Sequence, residues 1–213
     1  MDLNNDALSK TYGVTEIFYS IAGEGNHVGT PTVFIRFSGC NLQCKWKNGE
    51  CDTDFKLRNR MTAKEICDLA HSFGCNRITL TGGEPALQVD APLLKALKLA
   101  LPSCNISMET NGTVDLADKG IFHLLDWVTI SPKFSQGLKI AQRVGNELKV
   151  IFPDEFYFMG NVFEFETFKV DHYYIQPITC TDYDVNIENA VALVKSLPKW
   201  KLSIQLHKFL GLQ

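Results

Sequence analysis

The chain has 213 residues, a formal net charge of −3 and a hydrophobic content of 45%, which are ordinary values for a globular protein. A chain of this length buries roughly 70% of its unfolded surface, so we expect one domain over residues 1–213 that folds without a metal or disulfide. The sequence has no basic block of the kind that binds nucleic acid and no apolar run near the ~20 residues of a membrane span, so neither partner is expected.

Seven cysteines follow a polar N-terminus, residues 1–10, that lacks the apolar core of a secretion signal. An odd number of cysteines at irregular spacing does not form a disulfide framework. The sequence therefore predicts free thiols and a metal site in the reducing cytoplasm.

Short β-rich runs alternate with helical patterns along the chain. The predicted strands are 15–20, 32–37, 77–80, 105–108, 127–130, 147–152, 173–175 and 201–206, and the predicted helices are 62–73, one capped by Asp90, and 184–196. Alternation of this kind favours parallel strands joined by crossover helices. Six or seven barrel strands are too few for eight full units, so the fold class is α/β, with a partial, open TIM-like barrel.

Three cysteines, Cys40, Cys44 and Cys51, lie close together in the sequence. Thiolates suit iron–sulfur clusters and zinc, and three of them leave one iron of a cluster free to hold a small molecule. The alternative is a structural zinc site, which needs a fourth ligand such as Cys67, Cys75 or a histidine brought in by folding. The cysteines alone favour the cluster without excluding zinc.

Polar residues follow several predicted strands, where the carboxyl-terminal rim of a barrel carries its chemistry. Gly82 and Gly83 allow close approach to the backbone, and Glu84 offers a carboxylate to an ammonium group. The segment 23–25 (Gly-Glu-Gly) and Arg36 offer a carboxylate and a guanidinium for a polar heterocycle and its carboxylate. Further candidates after strands are Glu109, Asn111, Ser131, Lys133 and Gln176.

The cysteine run followed by Gly82-Gly83-Glu84-Pro85 resembles the radical S-adenosylmethionine superfamily. Eight motifs in order make the resemblance closer, to the 7-carboxy-7-deazaguanine synthase family, from about residue 16 to residue 213. These motifs are residues 17–25, 33–42, 51–53, 81–85, 109–112, 131–133, 145–149 and 205–208.

This resemblance implies a lyase that converts 6-carboxy-5,6,7,8-tetrahydropterin to 7-carboxy-7-deazaguanine with loss of ammonia, for queuosine and other 7-deazapurines. It implies a [4Fe-4S] cluster, S-adenosyl-L-methionine that is cleaved to a 5′-deoxyadenosyl radical and regenerated, and Mg2+. It also implies a homodimer that takes electrons from flavodoxin or ferredoxin.

The resemblance also implies roles for individual residues. Cys40, Cys44 and Cys51 would bind the cluster and Thr53 the Mg2+ ion. Those implied at the cofactor are Asp52, Gly83, Glu84, Glu109, Asn111, Ser131, Pro132, Lys133, Gln176 and Pro177. Those implied at the substrate are Ile21, Ala22, Gly23, Glu24, Arg36, Thr81, His207 and Gln213, the last through a terminal carboxylate.

Within the single radical S-adenosylmethionine core domain, the resemblance implies an N-terminal strand region (14–39), a cluster loop (40–56) and a C-terminal tail (207–213) that closes the site. Two departures stand out. Six residues, 45–50, separate Cys44 from Cys51 where the family commonly has two, and Ala22 replaces a frequent glutamine. The alternatives are a glycyl-radical-enzyme activase and a non-enzymatic zinc or iron–sulfur binding module.

Overall fold

The computed structural model describes residues 8–47, 49–159, 162–180 and 182–212. The strands in chain order are β1 (Thr11–Ile21), β2 (Pro31–Phe37), β3 (Lys45–Trp46), β4 (Gly49–Glu50), β5 (Asn59–Thr62), β6 (Arg77–Gly82), β7 (Asn105–Thr110), β8 (Trp127–Ile130), β9 (Glu147–Phe152), β10 (His172–Pro177) and β11 (Trp200–Leu202). The helices are α1 (Ala63–Ser72), α2 (Ala91–Ala100), α3 (Asp154–Met159), α4 (Val162–Phe165), α5 (Tyr183–Ser196) and α6 (Leu206–Leu210).

Nine of these strands form one open sheet in the order β5-β1-β2-β6-β7-β8-β9-β10-β11. The pairs β1–β2 and β1–β5 are antiparallel, whereas every neighbour pair from β2 to β11 is parallel. The α/β class with a parallel sheet is therefore confirmed. Strands β3 and β4 form a separate small hairpin. Among the described residues, no helix combines the length and apolar character needed to cross a membrane.

Local sequence explains where the first two helices begin. Thr62 caps α1 in a capping box with Glu65, whose carboxylate accepts from the Thr62 N–H at 2.7 Å while its own N–H donates to Thr62 Oγ1 at 3.2 Å. Asp90 caps α2 through the Leu93 N–H at 3.1 Å. Both caps were predicted and are confirmed, and caps of this kind each stabilise a helix by about 1 kcal/mol.

The parallel strands present two unlike faces, because successive side chains in a strand point to opposite sides. One face is buried against the helices and consists of apolar side chains, with Ile35, Leu80, Ile106 and Val150 among those that are fully buried. The other face is polar and lines a cavity. The residues on it include Arg36, Thr79, Thr81, Ser107, Glu109, Thr129, Glu147 and Lys149. In an open barrel this concave face is available to a ligand instead of being filled by a core.

One predicted strand was placed wrongly, and several short elements were not predicted. The last strand was predicted over 201–206, but β11 ends at Leu202 and α6 begins at Leu206. Ser203 leaves the strand because its hydroxyl is held by Gln176 and by the Gly25 N–H. The sequence also gave no signal for β5 or for the hairpin of β3 and β4.

Candidate functional site

The polar face of the sheet surrounds a cavity of about 480 Å³. Its walls come from the ends and concave faces of the parallel strands, from the cysteine loop after β2 and from the segment before α6. The predicted site residues that line it are Cys40, Cys44, Cys51, Asp52, Thr53, Gly83, Glu109, Asn111, Ser131, Lys133, Gln176, Pro177, Ile21, Ala22, Gly23, Glu24, Arg36, Thr81 and His207. Residues scattered over nearly the whole sequence therefore meet in one place.

The cysteine loop forms one wall of the cavity. Cys40 follows β2 and accepts a hydrogen bond from the Leu42 N–H at 3.4 Å, and the Cys51 N–H donates to the Cys44 carbonyl at 3.1 Å. Burial raises the pKa of the Cys40 thiol, and it raises that of Cys44 to about 11, against the opposing effect of the Lys133 ammonium group. The neighbouring thiols act in the same direction as burial, because Cys51 raises the pKa values of Cys40 and Cys44, and Cys40 raises that of Cys44.

Among the described residues, no three Cys, His, Asp or Glu side chains are already arranged around a metal ion. The donor set nevertheless fits a cluster, because three thiols line a single cavity and a partly buried lysine, Lys133, favours the thiolate forms of Cys40 and Cys44. A structural zinc site would need a fourth ligand. Of the candidates for it, Cys67 is buried behind the sheet and Cys75 is partly buried, and neither lines the cavity, whereas two histidines, His27 and His207, do line it.

Gly82 and Gly83 are required by the close approach of β6 to the start of the cysteine loop. Gly82 has a φ of +135°, and a β-carbon on it would lie 2.1 Å from the Phe37 carbonyl oxygen. A β-carbon on Gly83 would lie 2.2 Å from the Gly39 carbonyl oxygen and 2.7 Å from the Cys40 β-carbon. The Glu84 N–H then donates to the Gly39 carbonyl at 3.0 Å. These contacts fix Cys40 at the rim of the sheet.

We expect Gly83→Ala to destabilise the protein by about 2 kcal/mol, because an atom placed 2.2 Å from a carbonyl oxygen forces the backbone apart. Urea unfolding measures the loss, and iron analysis after reconstitution should show reduced cluster content because Cys40 moves. Gly120→Ala is the comparison: its φ of +72° imposes strain of about 1 kcal/mol, but no atom lies within 4 Å of the added carbon. Equal losses in the two variants would contradict the steric argument.

Glu84 and Pro132 do not line the cavity, and the prediction that Glu84 binds an ammonium group is corrected. Glu84 is completely buried, and its two carboxylate oxygens accept from the Ala86 N–H at 2.9 Å, Thr110 Oγ1 at 2.8 Å and the Asn111 N–H at 2.6 Å. Burial raises its pKa against the effect of these donors. The carboxylate joins the ends of β6 and β7 beneath the cavity.

Asn111 and Lys133 mark the wall next to the cysteine loop. Asn111 donates through Nδ2 to Asn41 Oδ1 at 3.0 Å, which ties the end of β7 to the loop. The Lys133 ammonium group donates to both the carbonyl and the hydroxyl of Ser131 at 2.6 Å. Burial lowers the pKa of Lys133, and the neighbouring Cys44 and Glu155 oppose that effect. The lysine is thus held by Ser131 at the base of the cysteine wall.

A network of charges, which we call the Lys149 network, also lines the cavity. It consists of Lys149, Glu24, Glu109 and Glu147. Lys149 forms an ion pair with Glu24 and lies 4.0 Å from Glu109 Oε1, and its side chain is only 6% exposed. Burial alone would lower the pKa of Lys149, but the three carboxylates raise it above its usual value. Burial would raise the pKa of Glu24, but Lys149 holds it well below its usual range.

The other members of the network are anchored to the sheet. Glu109 accepts from Thr81 Oγ1 at 2.9 Å, and Glu147 accepts from the Asn26 N–H at 3.0 Å. Burial raises the pKa of Glu147 against the effect of Lys149. Gly25 has a φ of +62°, and a β-carbon on it would lie 2.0 Å from Glu147 Oε1, so glycine is needed there.

Arg36 projects into the cavity from β2. Its Nε donates to Glu16 Oε1 at 2.8 Å, and its guanidinium lies 5.6 Å from the centre of the Phe18 ring. Phe18 in turn stacks on Phe34 at 5.0 Å between ring centres. The arginine is therefore oriented by an acid on one side and an aromatic surface on the other.

The segment before and within α6 closes over the glycine turn that follows β1. The Leu206 N–H donates to the Gly23 carbonyl at 2.9 Å, and a β-carbon on Gly23 would lie 2.1 Å from His207 Nδ1. Gln205 donates to Glu24 Oε1 at 2.7 Å. His207 is thereby placed on the cavity wall next to the Lys149 network.

Two of the predicted contact residues, Asp52 and Ala22, already have partners within the protein. Asp52 is paired with Lys208, so its carboxylate already has a cationic partner, while Thr53 lines the cavity beside it. The Ala22 N–H and carbonyl are paired with Thr30 and Gly29 at 2.8 Å each, within the turn after β1. Gln213 lies outside the described residues.

Several cavity residues were missed by reading the sequence. Glu147 and Lys149 occupy alternate positions of β9, whose other residues are apolar. Charged residues at alternate positions of an otherwise apolar, buried strand indicate that one face of the strand lines a polar site. Trp127 and His27 also line the cavity, with ring centres 4.4 Å apart. The sequence around His27 does not indicate a site residue, because the ring that it contacts, Trp127, belongs to β8.

Comparison with known proteins gives consistent matches. The family model described as a 4Fe-4S single cluster domain matches residues 21–149. A 7-carboxy-7-deazaguanine synthase of Bacteroides thetaiotaomicron is 37% identical over 200 residues, covering 94% of this chain and 98% of the relative. Synthases of the same name from Caulobacter vibrioides and Burkholderia multivorans are 36% and 34% identical, and each alignment covers 95% of this chain and 99% of the relative.

The fold also has a solved counterpart. The crystal structure of QueE from Escherichia coli superimposes with a TM-score of 0.73 over 92% of this chain and 95% of that chain, at 23% sequence identity. This likeness agrees with the predicted partial barrel of the radical S-adenosylmethionine type.

Proposed function

The chain belongs to the 7-carboxy-7-deazaguanine synthase family of radical S-adenosylmethionine enzymes, and we propose that its polar cavity holds the cluster, the cofactor and the pterin of that reaction. The observation that carries the proposal is the shared cavity. The three cysteines, Arg36 and the four residues of the Lys149 network all line it.

The reaction converts 6-carboxy-5,6,7,8-tetrahydropterin into 7-carboxy-7-deazaguanine and ammonia, so no atom is gained and there is no net oxidation. When bound, the reduced cluster and S-adenosylmethionine supply the radical that removes the hydrogen atom from C6 of the pterin. Ring contraction and loss of ammonia follow, and the hydrogen atom returns. The chain must therefore orient a pterin next to the cofactor and exclude other hydrogen donors.

The cysteine wall is the proposed cofactor end. The thiolates of Cys40, Cys44 and Cys51 would bind three irons and leave the fourth for the cofactor. Lys133, held by Ser131, supplies positive charge beside these thiolates. The remaining proposed cofactor contacts are Gly83, Glu109, Asn111, Gln176 and Pro177, all of which line the same cavity.

Lys149, Glu24 and Glu147 of the Lys149 network form the proposed substrate end together with Arg36. The bond from Arg36 to Glu16 uses Nε, and we propose that the terminal nitrogens of the guanidinium hold the carboxylate of the pterin. Glu24 is kept ionised by Lys149, so it accepts hydrogen bonds from the N–H groups of the heterocycle. Thr81 and His207 complete this end, and Thr53 is the proposed Mg2+ ligand.

We further propose a homodimer that takes its electron from flavodoxin or ferredoxin in the cytoplasm. All seven cysteines are free thiols in the structure, as a reducing compartment requires. Size-exclusion chromatography with light scattering tests the dimer.

The direct test is anaerobic. The protein is reconstituted with iron and sulfide, reduced, and mixed with S-adenosylmethionine, Mg2+ and 6-carboxytetrahydropterin, and 7-carboxy-7-deazaguanine is sought by mass spectrometry. We expect product with little net 5′-deoxyadenosine. Cleavage of S-adenosylmethionine without product would overturn the substrate assignment, as for an activase. A protein that takes up zinc and cleaves nothing would overturn the whole proposal.

Arg36→Gln tests the substrate end separately. We expect the KM for the pterin to rise by roughly 10- to 100-fold, because a hydrogen-bonded charge pair is lost. Iron content and binding of S-adenosylmethionine should be unchanged. Glu188→Gln changes an exposed acid on α5 and controls for effects of preparing a variant protein. Its KM for the pterin should equal that of the unmodified protein. An unchanged KM would assign the pterin carboxylate to another residue.

A further inference from the structure

The described residues between Cys44 and Cys51, which are 45–47 and 49–50, are folded rather than loose. Strands β3 and β4 pair with each other through Lys45 and Glu50 and through Trp46 and Gly49. A β-carbon on Gly49 would lie 2.9 Å from Ile178 Cδ1, so the hairpin is pressed against the chain that follows β10. The segment between two cysteines therefore has a defined place on the protein.

The hairpin is clamped to two segments, the turn that follows β8 and the start of α3. Gln136 binds both backbone groups of Lys45: its Oε1 accepts from the Lys45 N–H and its Nε2 donates to the Lys45 carbonyl, each at 3.1 Å. The Lys47 N–H donates to Asp154 Oδ1 at 3.3 Å. A reciprocal pair of bonds to one residue fixes the position of Lys45, which adjoins Cys44.

The deepest anchor is Glu155. It is completely buried, yet its carboxylate accepts from the indole N–H of Trp46 at 2.9 Å and from the Ser135 N–H at 3.0 Å, and the Ser135 hydroxyl also donates to it. A buried carboxylate is costly unless such donors are present, so removing one of them has a large effect. The negative charge of Glu155 also acts to raise the pKa values of Cys44 and Lys133.

We propose that Glu155 is a positioning residue that holds the Trp46 hairpin closed before any cluster is present, so that Cys44 and Cys51 face the cavity. The proposal rests on the proposed function only in taking these cysteines as cluster ligands. Ordering six residues costs conformational entropy, and a loop already ordered by Glu155 and Gln136 avoids that cost when the cluster is assembled.

The position of two lysines makes the closed state measurable in cluster-free protein. Lys45 and Lys47 are exposed, so trypsin cleaves after them whenever the hairpin opens. We expect Glu155→Gln to accelerate cleavage at these two sites about tenfold, because one charge-assisted hydrogen bond is weakened. Trp46→Phe removes the same bond from the other side, and Gln136→Ala removes the second clamp; both should accelerate the same cleavage.

The double variant Glu155→Gln with Trp46→Phe should be cleaved little faster than either single variant, since both remove one interaction. Glu164→Gln is the matched control, because it makes the same substitution at an exposed carboxylate of α4 and should leave cleavage unchanged. Unaccelerated cleavage in Glu155→Gln would overturn the proposal. Accelerated cleavage throughout the chain together with a lower Tm would overturn it as well, because it would indicate general destabilisation.

The link to the cluster needs a second readout. During reconstitution, iron incorporation and the visible absorption of the cluster should develop several times more slowly in Glu155→Gln than in Glu164→Gln, and high iron concentration should restore the final content. Equal rates of incorporation would overturn the positioning role. If the unmodified protein binds no cluster, the proposed function fails instead, whereas the proteolysis measurement still reports on the hairpin alone.

Discussion

Cys44→Ala is expected to abolish cluster binding and activity while leaving a folded chain. Cys44 is 8% exposed and lines the cavity, and burial raises the pKa of its thiol, so the thiolate forms only when a metal replaces the proton. With two thiolates left, a third iron of the cluster has no protein ligand. The core lies on the other face of the sheet, so the free energy of unfolding should fall by only about 1 kcal/mol.

The measurement is iron and sulfide content after anaerobic reconstitution, with circular dichroism and urea unfolding of the same sample. Cys180→Ala is the control, because Cys180 is a half-buried thiol that accepts from Asn186 Nδ2 and does not line the cavity. It should keep full iron content. A Cys44→Ala protein that retains the cluster, or one that unfolds, would contradict the assignment of this residue as a ligand that the fold does not need.

The elements that the sequence predicted well are those whose signals are local. The capping box of Thr62 and Glu65 lies within four residues, and the apolar runs of β6 to β10 carry the enrichment in branched and aromatic side chains that favours strands. The end of β11 was placed wrongly because it depends on Ser203, whose hydroxyl partners, Gln176 and Gly25, are remote in the sequence. A pattern over six residues contains no information about such partners.

The residues of the site likewise divide into those with a local signal in the sequence and those that depend on remote partners. Its cysteines were predictable because their chemistry is visible in one short run, and the resemblance added residues that belong to recognisable motifs. Glu155 was not predictable, because its importance comes from Trp46, which lies 109 positions earlier in the chain. Glu84 was assigned to the wrong partner because a glutamate after two glycines indicates exposure, whereas the fold buries it under three donors.

Lys149→Met is expected to have the largest effect on stability at neutral pH. The Lys149 side chain is 6% exposed and that of its partner Glu24 is 17% exposed, so removing the ammonium group leaves a nearly buried carboxylate without its cation. Glu109 and Glu147 would also lose their compensating charge. We expect the free energy of unfolding to fall by about 3 kcal/mol at pH 7, as for other broken buried ion pairs.

The effect should depend on pH in a defined direction. In the unmodified protein Lys149 holds the pKa of Glu24 below its usual range, so the pair contributes stability that is full above the ordinary carboxyl pKa of about 4.3 and is lost as pH falls below it. In Lys149→Met, only Gln205 and His207 oppose the effect of burial, so we expect the pKa of Glu24 to rise and its protonation to stabilise the variant as pH falls. The difference in unfolding free energy between the two proteins should therefore be smaller at about pH 4.5 than at pH 7.

Two companion variants separate the charge from the packing. Glu24→Gln combined with Lys149→Met leaves one carboxylate fewer to compensate, so it should be more stable than Lys149→Met alone. With the Glu24→Gln single variant added, the double-mutant cycle gives the coupling energy of the pair. Lys149→Arg keeps the positive charge and should lose less stability than Lys149→Met. If Lys149→Met were as stable as the unmodified protein and its loss did not vary with pH, Glu24 would not depend on Lys149 for its charge. The substrate end of the cavity would then need another source for an ionised acceptor, because a neutral Glu24 carboxyl would present a donor to the heterocycle where the proposed contact requires an acceptor.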